Sequence, residues 1–193
     1  SGTPTEPAEH ALVFRATAQG TSPPIVGEKA IPLLVPGPPV VDIWSGDTQV
    51  VGTPGVHQTW ANVLGNASAI SGLASVSYTL NGGPSVNLGL GNDRRRLTGE
   101  GDFNVELAFA DLLPGDNEVV ITARDLRGVE TDHTVVVSYD DSSTWPLPYT
   151  LDWGSAQHIQ DQAKIVDGHW TFDENGIRTI QFGYDRTFGV GDA

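Results

Sequence analysis

Apolar and polar residues alternate through much of the middle of the chain. Val76, Tyr78 and Leu80 make one such series, and similar series occupy residues 86–90 and 103–109. Because successive side chains of a β-strand point to opposite faces, each series places its apolar residues on one face. Apolar residues at helical spacing are nearly absent. The pattern therefore predicts an all-β chain.

Turn-forming sequences separate these strands from others that are rich in Val and Ile. The turns are Asn-Gly-Gly-Pro at 81–84, Leu-Pro-Gly-Asp at 113–116 and Leu-Arg-Gly at 126–128. Further strands are predicted near residues 39–44, 56–64, 118–123 and 133–139. The resulting set of about seven strands has the spacing of an immunoglobulin-like (Ig-like) sandwich, in which Trp60 would be the buried tryptophan.

The pattern also predicts how the chain is divided. Residues 1–37 would be either the tail hairpin of a preceding Ig-like module or an N-terminal extension. We then expect an Ig-like sandwich at 38–141, a linker at 142–148 and an incomplete domain at 149–193. The first hairpin, at 11–35, repeats the strand, Gly turn and strand order of 118–139. The last piece contains a hairpin around Asp173-Glu174-Asn175-Gly176, but about 45 residues are too few to bury a sandwich core alone.

Composition narrows the classes of function. The 193 residues include no Cys, which excludes disulfides and thiolate metal sites. A net charge of −14 disfavours nucleic acid, since phosphate binding needs clustered Lys and Arg. No apolar run is long enough for membrane insertion. An acidic β protein without Cys is typical of secreted bacterial modules, so we expect an extracellular or cell-surface location.

Two stretches resemble known families. The run LLPGDNEVVITARDLRGVETDHTVVVSY at 112–139 resembles the closing strands of bacterial Ig-like modules, and cadherin-like domains share its Ala123, Asp125 and Gly128. The run VDGHWTFDENGIRTIQFGYDRTFGVGD resembles the start of a concanavalin A-like (laminin-G-like) jelly roll. The first resemblance implies a β-sandwich module. The second implies an unfinished domain whose ligand or catalytic residues would lie beyond Ala193.

Calcium is one candidate ligand. The predicted carboxylates are at a strand end, across the following turn and at the start of the linker: Asp125, Glu130, Asp132, Asp140 and Asp141. Ca²⁺ takes six to eight oxygen ligands, and such a site at a module junction would stiffen it. The alternative is that Asp125 only binds backbone amides of its own turn.

Polysaccharide is the other candidate ligand. Trp145 and Tyr149 lie between prolines in the linker, where their aromatic faces would be exposed for stacking on sugar rings. Arg94, Arg95 and Arg96 would hold an anionic polymer, or else protect a strand edge and offset nearby acids.

No catalytic motif is present: the sequence has no G-x-S-x-G, no P-loop and no H-E-x-x-H. We therefore predict a non-catalytic spacer and binding region of a modular bacterial surface or secreted protein. Its partners would be neighbouring domains of the same chain or adjacent subunits. Two alternatives stay open: an accessory fragment of a polysaccharide-degrading enzyme, and a self-assembling fibre subunit completed by strand addition.

Overall fold

The structure is a computed structural model of the chain. It describes residues 8–18, 20, 25–52, 60–93, 95–140, 150–182 and 186–190. These residues form fourteen β-strands and two one-turn 3₁₀ helices, at Phe109–Asp111 and Ile159–Asp161. Within them, no helix is long and apolar enough to cross a membrane. The described fold is all-β, and the prediction from alternation is confirmed.

The hairpin predicted near the N-terminus is present. Strand β1 (Ala8–Ala18) pairs antiparallel with β2 (Ile25–Val35), and the two form a sheet of their own. Neighbouring residues Val13 and Phe14 point to opposite faces, yet they are 62% and 58% exposed. The described hairpin therefore leaves apolar side chains uncovered on both faces. Its membership of a preceding module stays a prediction.

The central part contains eight strands, one more than the sequence predicted. They are β3 (Val40–Ile43), β4 (Thr48–Val51), β5 (Trp60–Ser68), β6 (Leu73–Leu80), β7 (Val86–Asn87), β8 (Asp102–Ala108), β9 (Gly115–Asp125) and β10 (Glu130–Tyr139). The unpredicted strand is β4, which is only four residues long and pairs parallel with the far end of β10.

These strands form two sheets that face each other. One sheet has the order β3-β5-β8, and the other has the order β4-β10-β9-β6-β7. Val63 and Val105 point inward from the first sheet, and Val119, Ile121 and Val135 point inward from the second. All five are at most 1% exposed. Burial of these faces against each other drives the folding of a β-sandwich.

The prediction that Trp60 is a core residue is wrong, because Trp60 is 49% exposed. It begins β5, where Ala61 and Val63 face the core, so alternation turns Trp60 outward. The large buried aromatic residue of this core is Phe103, which is 0% exposed. It lies opposite Gly65, where an added Cβ would come within 2.7 Å of the Phe103 ring. Gly65 thus makes room for the large aromatic side chain of this core.

The C-terminal part contains four short strands in two pairs. Strand β11 (Lys164–Asp167) pairs with β14 (Thr187–Gly189), and β12 (Trp170–Asp173) pairs with β13 (Gly176–Thr179). The second pair is the hairpin predicted at residues 173–176. Aromatic contacts join these strands and the loop before them: Trp170 packs edge-on against Phe188, and Trp153 lies 5.9 Å from Phe172.

Candidate functional site

Part of the outer face of the three-stranded sheet is covered. Its outward positions on β5 and β8 pair across the two strands as Asn62 with Glu106, Leu64 with Asn104, and Asn66 with Asp102. Leu64 and Asp102 are each 2% exposed, although both point away from the sandwich core. Another part of the chain must therefore pack on this face.

That part is the C-terminal segment. The amide of Asn62 donates a 2.8 Å hydrogen bond to the carbonyl oxygen of Val166. The amide of Gln181 donates to the carboxylate of Asp102 over 3.2 Å, and the Thr98 hydroxyl donates to Gln181 Oε1 over 3.1 Å. We call this contact the joint. It comprises Trp44, Asn62, Arg96, Thr98, Asp102 and Glu106 of the sandwich, and Val166, Asp167, His169, Gln181 and Arg186 of the segment.

An arginine lies at the centre of the joint. Arg96 Nε is 2.8 Å from Asp167 Oδ2, and Arg96 Nη1 is 2.6 Å from Glu106 Oε1. Burial alone would lower the pKa of Arg96, but hydrogen bonds to Asp167 and Glu106 outweigh it and raise that pKa. The Asp167 side chain is only 4% exposed. A nearly buried carboxylate needs a cation beside it, so Arg96 is required for this packing.

A stacked pair of rings also joins the segment to the sandwich. Trp44 and His169 have ring centroids 4.5 Å apart and ring planes within 3° of parallel. Trp44 directly follows β3, and its backbone N–H donates to the carbonyl oxygen of Leu64 over 3.0 Å. Loss of water lowers the pKa of His169, and the nearby charges of Asp42 and Asp102 act in the opposite direction. Burial of the His169 ring therefore favours its neutral form.

A second contact joins the segment to the sandwich edge. The backbone N–H of Val50 donates to Gln160 Oε1 over 2.9 Å. Nearby, Lys164 shares a small pocket with Trp60 and Phe109. Burial lowers the pKa of Lys164 to about 8, although the charge of Asp140 acts to raise it. The aliphatic part of Lys164 thus packs among aromatic side chains, as long cationic residues commonly do.

The structure accounts for most of the predicted calcium ligands through other bonds. The carboxylate of Asp125 accepts hydrogen bonds from the hydroxyl of Ser71 (2.7 Å) and from the backbone amides of Arg127 and Val129 (both 2.9 Å). The carboxylate of Glu130 lies 3.7 Å from Arg124. Asp132 accepts a 2.6 Å bond from the Thr122 hydroxyl.

The predicted ligands are also divided between two ends of the sandwich. Glu130 begins β10, close to Asp125, whereas Asp140 follows its last residue, Tyr139. Ten residues of strand span about 30 Å, so Asp125 and Asp140 are not brought together. In the ranges that the structure describes, no group of three His, Asp or Glu side chains could hold a metal ion. Asp141 lies outside those ranges, and calcium binding stays a prediction.

The predicted polysaccharide contacts are only partly visible. Trp145, Tyr149 and Arg94 lie outside the described residues. Arg95 is exposed, and its backbone N–H donates to Asp93 over 2.8 Å. Arg96 belongs to the joint, where it offsets acidic neighbours.

Sequence reasoning missed most of the joint. Asn104 and Glu106 were expected on the face opposite the core, and they are there, but nothing in the alternation shows that this face is covered. Leu64 is the one local signal, since it is an apolar residue among outward polar ones. Trp44 and His169 carry no motif, and they lie 125 positions apart in the sequence. Their contact exists only in the folded chain.

Comparison with known proteins does not assign the chain to a family. No protein-family model matches the chain, and no curated protein matches it.

Proposed function

We propose that the chain is a non-catalytic spacer and binding region of an extracellular modular bacterial surface or secreted protein, with an Ig-like sandwich at its centre. Sheet order supports the Ig-like assignment: β3 and β4 are consecutive but belong to different sheets, and β4 runs parallel to β10. The extracellular location rests on the acidic, Cys-free composition.

The C-terminal strands are proposed as the start of a concanavalin A-like domain. Three residues of its resembling motif have distinct structural roles here. Asp167 pairs with Arg96, Gly168 adopts a φ of +94°, and the indole N–H of Trp170 donates to the Asp167 carbonyl oxygen over 2.8 Å. The motif therefore forms the side of the segment that packs on the sandwich.

The joint is the observation that carries the spacer function. A spacer must hold its neighbours in a fixed orientation, and a flexible linker does not do so. Here the buried Asp167 carboxylate, the stacked Trp44 and His169 rings and the bond from Asn62 all tie the segment to one sheet. Charge pairing and ring stacking both require defined geometry, so together they favour one orientation.

The test is a distance measurement between two spin labels. Because the chain has no Cys, Asn87→Cys on the sandwich and Glu174→Cys on the segment give two unique labelling sites, both exposed. We expect a single narrow distance distribution. Arg96→Ala should broaden it, because Asp167 would then lose its cation, whereas the exposed neighbour Arg95→Ala should leave it narrow. A broad distribution in the otherwise unchanged chain would reject the spacer proposal.

A further inference from the structure

A cleft opens beside the stacked rings of the joint. Trp44 and His169 line one part of it, and Trp170 and Phe172 of β12 line another. Gln157 and further polar residues, Ser45, His158 and Thr171, stand among these aromatic side chains. The volume of the cleft is about 280 Å³. This lies just below the range of roughly 300–1,000 Å³ for pockets that hold drug-sized molecules, so the cleft has room for one ring-sized group.

The lining carries no fixed charge. None of the described residues that line the cleft is Asp, Glu, Lys or Arg, although the chain as a whole has 24 acidic and 10 basic residues. Burial lowers the pKa of His169, which favours the neutral form of its ring. An ionic ligand would lose its hydration here without gaining an ion pair. The lining is therefore suited to an uncharged ligand.

The aromatic side chains are held in place before any ligand arrives. The Trp170 indole N–H donates to the Asp167 carbonyl oxygen, and the Trp44 ring is stacked on His169. Trp153 lies 5.9 Å from Phe172 on the neighbouring loop. Fixed rings cost little ordering entropy on binding, so they make an efficient contact surface.

We propose that this cleft binds one pyranose ring of a neutral polysaccharide. A sugar ring presents C–H groups on its faces and hydroxyls around its edge, which matches aromatic walls interrupted by side chains that form hydrogen bonds. This site differs from the linker residues Trp145 and Tyr149 and from the arginine run. The cleft rests on the joint of the proposed function, because Trp44 belongs to the sandwich whereas His169 and Phe172 belong to the segment. The spin-label distances test the joint, and the sugar titration tests the cleft, so the two proposals can fail separately.

The test is a titration of the full chain followed through the indole N–H signals of its five tryptophans by NMR. The probes are cellohexaose, xylohexaose, mannohexaose and maltohexaose, with hexagalacturonate as an anionic probe and a Gly-Ser-Tyr peptide, acetylated and amidated at its ends to remove their charges, as a non-sugar probe. We expect at least one neutral hexasaccharide to shift the Trp44 and Trp170 signals with saturation. The exposed Trp60, which lies at another pocket, should not shift.

Substitutions then locate the site. Phe172→Leu keeps an apolar side chain but removes an aromatic wall, and Trp44→Leu removes a second one. Each should raise Kd by about tenfold or more, corresponding to about 1.4 kcal/mol, while the matched control Trp60→Leu leaves Kd unchanged. The circular dichroism spectrum checks that each variant is folded, and Phe172→Leu serves as the test if Trp44→Leu is not folded.

Absence of binding by every neutral hexasaccharide would overturn the proposal. So would stronger binding of hexagalacturonate or of the peptide, or a Kd that the cleft variants do not change.

Discussion

Asn117 is a buried polar residue whose bonding atoms are all used. It lies near the start of β9 and is 0% exposed. Its side-chain oxygen accepts bonds from the Leu113 backbone N–H and the Asn81 amide, both at 2.9 Å. Its side-chain nitrogen donates to the carbonyl oxygens of Leu113 (2.8 Å), Gly115 (3.0 Å) and Val137 (3.2 Å). One amide therefore connects the loop before β9 to β10 and to the turn after β6.

We expect Asn117→Ala to lower the free energy of unfolding by about 3 kcal/mol, because it leaves several buried groups without partners. Asn87→Ala, on the exposed strand β7, is the matched control and should change it by less than about 0.5 kcal/mol. Urea denaturation followed by tryptophan fluorescence measures both. Similar losses in the two variants would contradict this role for Asn117.

Single residues were the hardest level to predict from the sequence. Asn117 lies in the run at 112–139 that resembles bacterial Ig-like modules, yet nothing local shows that its amide reaches Val137, 20 positions away. For Trp60 the prediction chose the wrong face of the strand. A tryptophan on a predicted strand was assigned to the core, but the neighbouring Ala61 and Val63 occupy the inward positions. The face on which a large residue lies depends on register, and one position reverses it.

The strands themselves were better predicted, because alternation is a local property. The inward residues Phe103, Val105 and Leu107 of one predicted series are buried, whereas Val86 of the series at 86–90 is 46% exposed and its strand β7 has only two residues. Strand β4 was missed, since Thr48 to Val51 is short and its inward residue is the polar Gln49. Gln49 is acceptable inside because its side-chain nitrogen donates to the carbonyl oxygen of Gly46 over 3.0 Å. Such a partner is visible only once the chain is folded.

The hairpin β1–β2 is the element that should open first. Its described strands form a two-stranded sheet of their own, and an isolated two-stranded hairpin is marginally stable in water. Apolar residues such as Phe14 and Val26 remain exposed in it. In contrast, β9 lies inside a five-stranded sheet, with bonded strands on both sides.

We expect backbone amides of β1 and β2 to exchange with deuterium far faster than those of β9, in a dilute sample followed by mass spectrometry. The same measurement addresses the fibre alternative. Protection of the hairpin that grows with protein concentration would favour strand addition between copies. Protection equal to that of β9 in the dilute monomer would show that another part of the chain covers the hairpin.

For the whole molecule, two of the few cations, Arg96 and Arg127, lie where its parts meet. The chain has only 10 Lys and Arg residues against 24 Asp and Glu. Arg96 ties the C-terminal segment to the sandwich, as described above. Arg127 acts at the other end, where Nη1 and Nη2 donate to the carbonyl oxygens of Pro36 (3.0 Å) and Gly37 (2.7 Å). Pro36 and Gly37 belong to the short connection between the hairpin and β3.

The anion that holds Arg127 in place is Asp125. Arg127 Nη2 lies 2.7 Å from Asp125 Oδ2, and the Asp125 side chain is 0% exposed. Burial alone would raise the pKa of Asp125, but hydrogen bonds from Ser71, Val129 and Arg127 outweigh it and lower that pKa to about 2. The sequence had offered calcium or the local turn as partners of this carboxylate. The structure shows the turn, together with an arginine that the sequence had not connected to it.

Acid should therefore weaken the molecule through Asp125. The unfolded chain takes up this proton near pH 3.8, whereas the folded chain holds the ionised form down to about pH 2. The stability that Asp125 contributes is complete above about pH 3.8 and is lost as the pH falls from there through 2.

We expect urea unfolding at several pH values to show this fall in the wild-type chain. The Asp125→Asn variant cannot gain a proton at this position, so it should lack the loss of stability that protonation of Asp125 causes. The free energies of unfolding of the wild-type chain and the variant should therefore converge as the pH approaches 2. Parallel curves for the two proteins would mean that folding does not lower the pKa of Asp125.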